Sequence, residues 1–119
     1  MPVVIGIVGT RQRDGQKDFA LVEQAFLSVY KQGDIICSGL CSKGADRFAV
    51  MLAIKYNAGT KWFPAEWKKY GKGAGFIRNS DIARESDILI ACVAPDRKGG
   101  TEDTIRKYGK GGKDKLILV

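Results

Sequence analysis

Residues suited to phosphate chemistry recur along this chain, and glycines are the first of them. Gly39 and Gly44-Ala45-Asp46 bracket one short stretch, and Gly99-Gly100-Thr101 forms a second. A glycine-rich turn that opens a helix leaves backbone N–H groups free to donate to an anion, and the missing side chains let the anion come close. The same glycines suit a tight turn with no ligand, Asp46 suits the dipole of a first helical turn, and Thr101 suits an N-cap. Arg11 and Arg78 carry guanidinium forks that can clamp a phosphate or form surface ion pairs. The chain has no histidine, which removes the commonest general base near neutral pH and leaves Glu66 and Glu102 as the catalytic candidates. Either glutamate could instead accept a bond from a ribose hydroxyl or a loop amide. Trp67, inside Ala65-Glu66-Trp67-Lys68-Lys69-Tyr70, reads as a base-stacking platform, and Trp62 reads as packing.

Cys37, Cys41 and Cys92 are odd in number and have no histidine to join them, so neither a disulfide framework nor a metal site is expected.

These residues need elements to hold them. Pro2 to Val8 is an unbroken apolar run closed by Gly9, the pattern of a strand buried on both faces. Asp18 can cap a helix in which Leu21, Val22, Ala25, Phe26 and Val29 recur at helical spacing, ending near Gly33. Further strands are expected over Asp34 to Ser38, Thr60 to Pro64, Asp87 to Val93 and Lys115 to Val119. Helices are expected over Ala45 to Tyr56, Phe76 to Arg84 and Thr101 to Tyr108, with a loop rich in lysine and glycine before Phe76.

Alternation of this kind specifies an α/β fold, a doubly wound, mostly parallel, Rossmann-like sheet of about five strands with helices on both faces. The alternation does not fix the strand order, for which 3-2-1-4-5 is the natural guess, and a single domain over residues 1–119 is expected. Gly9-Thr10-Arg11, Ser38 to Asp46, Pro64 to Asn79 and Gly99 to Thr101 all follow the C-terminal ends of strands, the edge where such sheets bind ligands.

A hydrophobic fraction of 45% with 28% charged residues is a globular balance rather than a disordered one. The net charge of +7 favours polyanionic partners. No apolar run approaches the ~20 residues of a membrane span, and the N-terminal run lacks the flanks of a signal peptide, so a cytoplasmic protein without membrane contact is expected.

Taken together, Gly9-Thr10-Arg11, Ser38-Gly39, Gly44-Ala45-Asp46-Arg47, Phe63 to Lys72, Ala74-Gly75, Ile77-Arg78-Asn79, Asp87 and Gly100-Thr101 resemble the small YspA-like members of the SLOG superfamily. The resemblance runs from Val3 to about Lys110. It implies a Rossmannoid fold that binds nucleotides or nucleotide derivatives, with cytokinin-activating phosphoribohydrolases and the DNA-processing protein A of natural transformation among its relatives. It also implies pocket roles for Thr10, Arg11, Ser38, Gly39, Gly44, Asp46, Arg78, Asn79, Gly100 and Thr101. The family's usual second glycine after Ser-Gly is Leu40 here. In the phosphoribohydrolase pattern Pro-Gly-Gly-x-Gly-Thr-x-x-Glu, Asp96-Arg97-Lys98 replaces Pro-Gly-Gly and Thr104 replaces the glutamate.

The leading expectation is therefore a ligand-binding or sensing domain for a phosphate-bearing nucleotide, with Gly9, Thr10, Arg11, Ser38, Gly39, Gly44, Ala45, Asp46, Trp67, Arg78, Asn79, Gly99, Gly100 and Thr101 at the ligand. No separate cofactor is expected, and a homo-oligomer is. A nucleotide-processing hydrolase using Glu66 or Glu102 is one alternative. A single-stranded nucleic-acid binder, suggested by the lysines and aromatics between Trp62 and Lys72, is the other.

Overall fold

A computed structural model describes residues 1–119. The strands are β1 (Val4–Gly9), β2 (Ile35–Ser38), β3 (Gly59–Trp62), β4 (Ile88–Cys92) and β5 (Leu116–Leu118). The helices are α1 (Gln16–Val29), α2 (Ala45–Tyr56), the single turn α3 (Trp67–Tyr70), α4 (Ala74–Glu85) and α5 (Gly100–Lys110). A 3₁₀ turn over Gly71–Gly73 joins α3 to α4.

The five strands form one sheet, parallel as the alternation of elements predicts, in the order β3-β2-β1-β4-β5. From β1 the chain winds outward to β3, then crosses back to place β4 on the other side of β1. The switch point lies between β1 and β4, and above it the loops leaving those strands part to form a crevice.

The apolar strands are continuous because both faces are covered. Ile5, Ile7, Ile36, Ile90 and Cys92 meet Val22 and Phe26 of α1 and Phe48, Ala49 and Leu52 of α2. Val4, Val8, Cys37, Leu89 and Ala91 meet Ile82 and Ala83 of α4 and Tyr108 of α5. Lys113 fixes the far end of α4, its Nζ donating to the carbonyls of Ala83, Arg84 and Ser86 at 3.1, 2.6 and 2.7 Å. A lysine there satisfies carbonyls that have no partner within the helix.

Four expected boundaries move. Helix α1 begins at Gln16 with Gly15 as N-cap, and Asp18 lies inside the first turn, where its carboxylate accepts from the Gly15 amide at 3.3 Å and Arg13 Nε at 2.9 Å. Strand β3 ends at Trp62, although the Phe63 amide still reaches Ser38 O at 2.8 Å; Pro64 has no N–H to continue the ladder. The segment read as loop contains α3, and α4 starts at Ala74. Helix α5 starts at Gly100 with Gly99, not Thr101, in the N-cap place.

Gly6, in the central strand, packs against Ser86 at the C-cap of α4 and Leu89 of β4. A Cβ there would overlap Ser86 Oγ and lie 2.9 Å from Ser86 Cβ and 3.0 Å from Leu89 Cδ1. Gly6→Ala should therefore destabilise the fold by about 1–3 kcal/mol through overpacking. Urea denaturation should show a lower midpoint with an unchanged slope, and an unaltered midpoint would show that this contact is slack.

Candidate functional site

A cavity of about 340 Å³ opens at the switch point. Its walls are Val8 to Gln12 from the end of β1, Cys41 from the β2–α2 connection, Asp46 in the first turn of α2, Arg78, Asn79 and Ile82 of α4, and Lys98 to Thr101 with Thr104 at the start of α5. Of the ligand residues expected from sequence, Gly9, Thr10, Arg11, Asp46, Arg78, Asn79, Gly99, Gly100 and Thr101 are brought together here. Arg11, Arg78 and Lys98 bring three cations to this lining, and none of them is in an ion pair. Asp46 is the one carboxylate among the lining residues.

The start of α5 is built to leave its amides open. Gly99 adopts φ 110°, ψ −168°, a backbone that side chains rarely permit, and no side chain caps the helix. The preceding Arg97 is also left-handed, at φ 55°. It is held there by a two-pronged ion pair to Glu102, Nε to Oε2 at 2.8 Å and Nη2 to Oε1 at 3.0 Å. Glu102, a catalytic candidate from sequence, thus braces the loop that carries Lys98 and is absent from the cavity wall. Asn79 ties α4 to the same turn, its Nδ2 donating to Gly100 O and Asp103 Oδ2, both at 3.2 Å.

The start of α2 differs. The Gly44 amide donates to Asp14 Oδ1 at 2.7 Å, and Arg47 donates from Nε to the same oxygen at 2.9 Å and from Nη2 to the Asp14 carbonyl at 2.8 Å. The Gly44 amide and then the Arg47 guanidinium hold the Asp14 carboxyl below its ordinary pKa. Asp14 therefore takes the place that a phosphate would occupy at this helix, and Gly44 lies outside the cavity lining. Gly44 is required for a different reason: at φ 74° a Cβ would stand 2.5 Å from Thr10 O. Ala45 is fully buried beneath Gly9.

Ser38 and Gly39 also stand behind the cavity rather than in it. A Cβ on Gly39 would meet Arg78 Cδ at 2.5 Å and Asp46 Oδ2 at 3.0 Å, so its absence lets Arg78 and Asp46 close over the backbone. Leu40, where the SLOG pattern has glycine, sits at φ 58°, the conformation a glycine would supply without strain. Trp67 is 55% exposed. It approaches Gly75 at the start of α4 and is not among the residues lining the main cavity. Glu66 borders a second, smaller cavity with Trp62, Phe63 and Tyr70.

Asp46 is buried, accepting from the Cys41 amide at 3.0 Å and lying 3.0 Å from Ser38 Oγ, which is itself 2.6 Å from Ile7 O. Burial pushes its pKa up, against the opposing hydrogen bonds and the nearby Arg78 and Arg11 guanidinium groups. A serine hydroxyl has one proton. Ser38 Oγ is placed to donate it to either Ile7 O or Asp46 Oδ1, and the latter bond works against the upward push of burial.

Gln12, Cys41, Lys98 and Thr104 line the cavity although none of them is among the ligand residues expected from sequence. Lys98 carried a signal, as a cation directly before the glycine pair. Thr104 lies one turn after Gly100, with Oγ1 3.4 Å from its carbonyl.

No family model and no curated protein matches the chain. Among solved structures, the molybdenum cofactor binding protein from the phototrophic bacterium Rippkaea orientalis matches with a TM-score of 0.70 at 20% identity, covering 99% of this chain and 76% of that one. At that identity the likeness is one of fold.

Asp46→Asn should keep this hydrogen-bond set without the buried charge. Because the folded state raises the Asp46 pKa above its ordinary 3.8, the native protein binds the extra proton and loses stability as pH rises. The variant is therefore expected to be more stable than the parent near neutral pH, with the gap closing as pH falls toward 3.8. Thermal melts across that range check this; a variant destabilised at every pH would show that the charged form is needed.

Proposed function

We propose that this chain binds a phosphate-bearing nucleotide or nucleotide derivative at the switch-point cavity and acts as a ligand-binding or sensing domain of the SLOG type. The observation that carries the reading is the convergence of three unpaired cations, Arg11, Arg78 and Lys98, on the uncapped N-terminus of α5. Helix amides and guanidinium groups supply what phosphate oxygens accept. In this reading the phosphate lies at Gly99-Gly100-Thr101, and the Asp14-plugged start of α2 takes no part. Arg78, laid over Gly39, and Arg11, two residues past the end of β1, grip it from two sides.

Hydrolysis has little support. Cleaving a glycosidic bond builds positive charge on the ribose, which calls for a well-placed carboxylate. Thr104 cannot supply one, Glu102 is engaged by Arg97, and the pKa of Asp46 is raised by burial. The structural neighbour is described as binding the molybdenum cofactor, and a small-molecule cofactor on the same fold favours a small ligand over a polynucleotide.

Calorimetric titration with nucleoside diphosphates tests the reading. Arg11→Ala and Arg78→Ala should each weaken binding by about 1.5–3 kcal/mol, the range for hydrogen bonds to charged groups, with thermal midpoints near the parent's. Equal affinity in both variants would remove the arginines from the site. Chromatography after incubation with nucleoside monophosphates should detect no free base. Turnover abolished by Glu66→Gln or Glu102→Gln would instead make the protein an enzyme. A single-stranded oligonucleotide, if it were the ligand, would lose affinity much more steeply with salt than a diphosphate does.

A further inference from the structure

The second cavity, about 200 Å³, adjoins the first along α4. Ala74, Ile77, Arg78 and Asp81 line it, the i, i+3, i+4, i+7 set that forms one helix face, while Arg78, Asn79 and Ile82 line the first. Arg78 thus belongs to both, and a ligand gripped by its guanidinium in one cavity can extend into the other. Whole small ligands occupy roughly 300–1,000 Å³, so a cavity of this size suits part of a ligand rather than a separate one. Its character also differs from the cationic cavity: Trp62, Phe63 and Tyr70 supply aromatic walls.

Two carboxylates border this aromatic cavity, Asp81 and Glu66. Asp81 is engaged by Arg84 at 2.8 Å. Glu66 is in no ion pair. An ionised carboxylate only accepts hydrogen bonds, so beside a stacked ring it matches an edge that presents two adjacent donors. Guanine and pterins present that edge, a ring N–H flanked by an exocyclic amine. Hypoxanthine has the N–H without the amine, and adenine pairs its amine with an acceptor nitrogen.

Resting on the phosphate reading above, we infer that the Trp62–Phe63–Tyr70 cavity holds the planar ring of the same ligand and that Glu66 selects a ring with a guanine-type or pterin-type donor edge. Glu66 is then a specificity residue and not a general base.

Calorimetry on the full chain with GDP, IDP, ADP, hydroxymethylpterin diphosphate and inorganic pyrophosphate tests this. GDP or the pterin diphosphate should bind about tenfold more tightly than IDP, the discrimination expected of a two-donor contact, with ADP weaker and pyrophosphate weakest. Whichever of the first two binds more tightly identifies the source of the ring. Glu66→Gln, which can pair with adenine as well, should bring the GDP-to-ADP affinity ratio close to one. If pyrophosphate matches GDP in the parent, or the variant keeps the parent's ratio, the ring subsite is wrong and the phosphate site stands. Failure of every compound, pyrophosphate included, would overturn both.

Discussion

A helix that begins without a cap leaves its first backbone N–H groups wanting acceptors, and in this protein the whole switch-point crevice is arranged around one such helix. Helix α5 opens at Gly99 with no side chain over it. The sheet brings that opening beside the end of β1, because β4 pairs with β1 and the loops leaving both strands rise from the same edge. Arg11 arrives on one loop, Lys98 on the other, and Arg78 from α4 across the crevice. Their mutual repulsion is tolerable only where an anion or solvent screens it, and the only carboxylate in the lining, Asp46, is driven toward its neutral form by burial.

The fold was legible because its cause is local. Apolar strands buried on both faces read as unbroken runs, and helical spacing between them forces parallel crossovers; the order of the five strands is set by which neighbours pair, which the spacing leaves open. Boundaries were less legible where a backbone conformation decides them. Thr101 looks like an N-cap by type, yet the chain turns two residues earlier because Gly99 can adopt φ 110°.

The site was legible in part for the same reason. Glycines at strand ends and arginines beside them sit at the cavity because topology alone carries them there. Gly44 resisted the same logic: what satisfies its amide is Asp14, 30 residues away along the chain, and such a partner leaves no mark on the spacing around Gly44. Ser38 likewise faces inward onto Ile7 and Asp46, a matter of strand register rather than residue type. Glu102 was attractive by its place next to Thr101, but Arg97, five residues earlier, takes both of its oxygens.

The difference between the two helix starts is the sharpest consequence of this arrangement, and amide-resolved NMR during a pyrophosphate titration reads it directly. The account predicts saturable shifts of the Gly99, Gly100 and Thr101 amides, together with the Arg11 and Arg78 side chains, while the Gly44 amide, already bonded to Asp14, stays in place. Shifts centred on Gly44, or on the opposite edge of the sheet, with the α5 amides unmoved would contradict it.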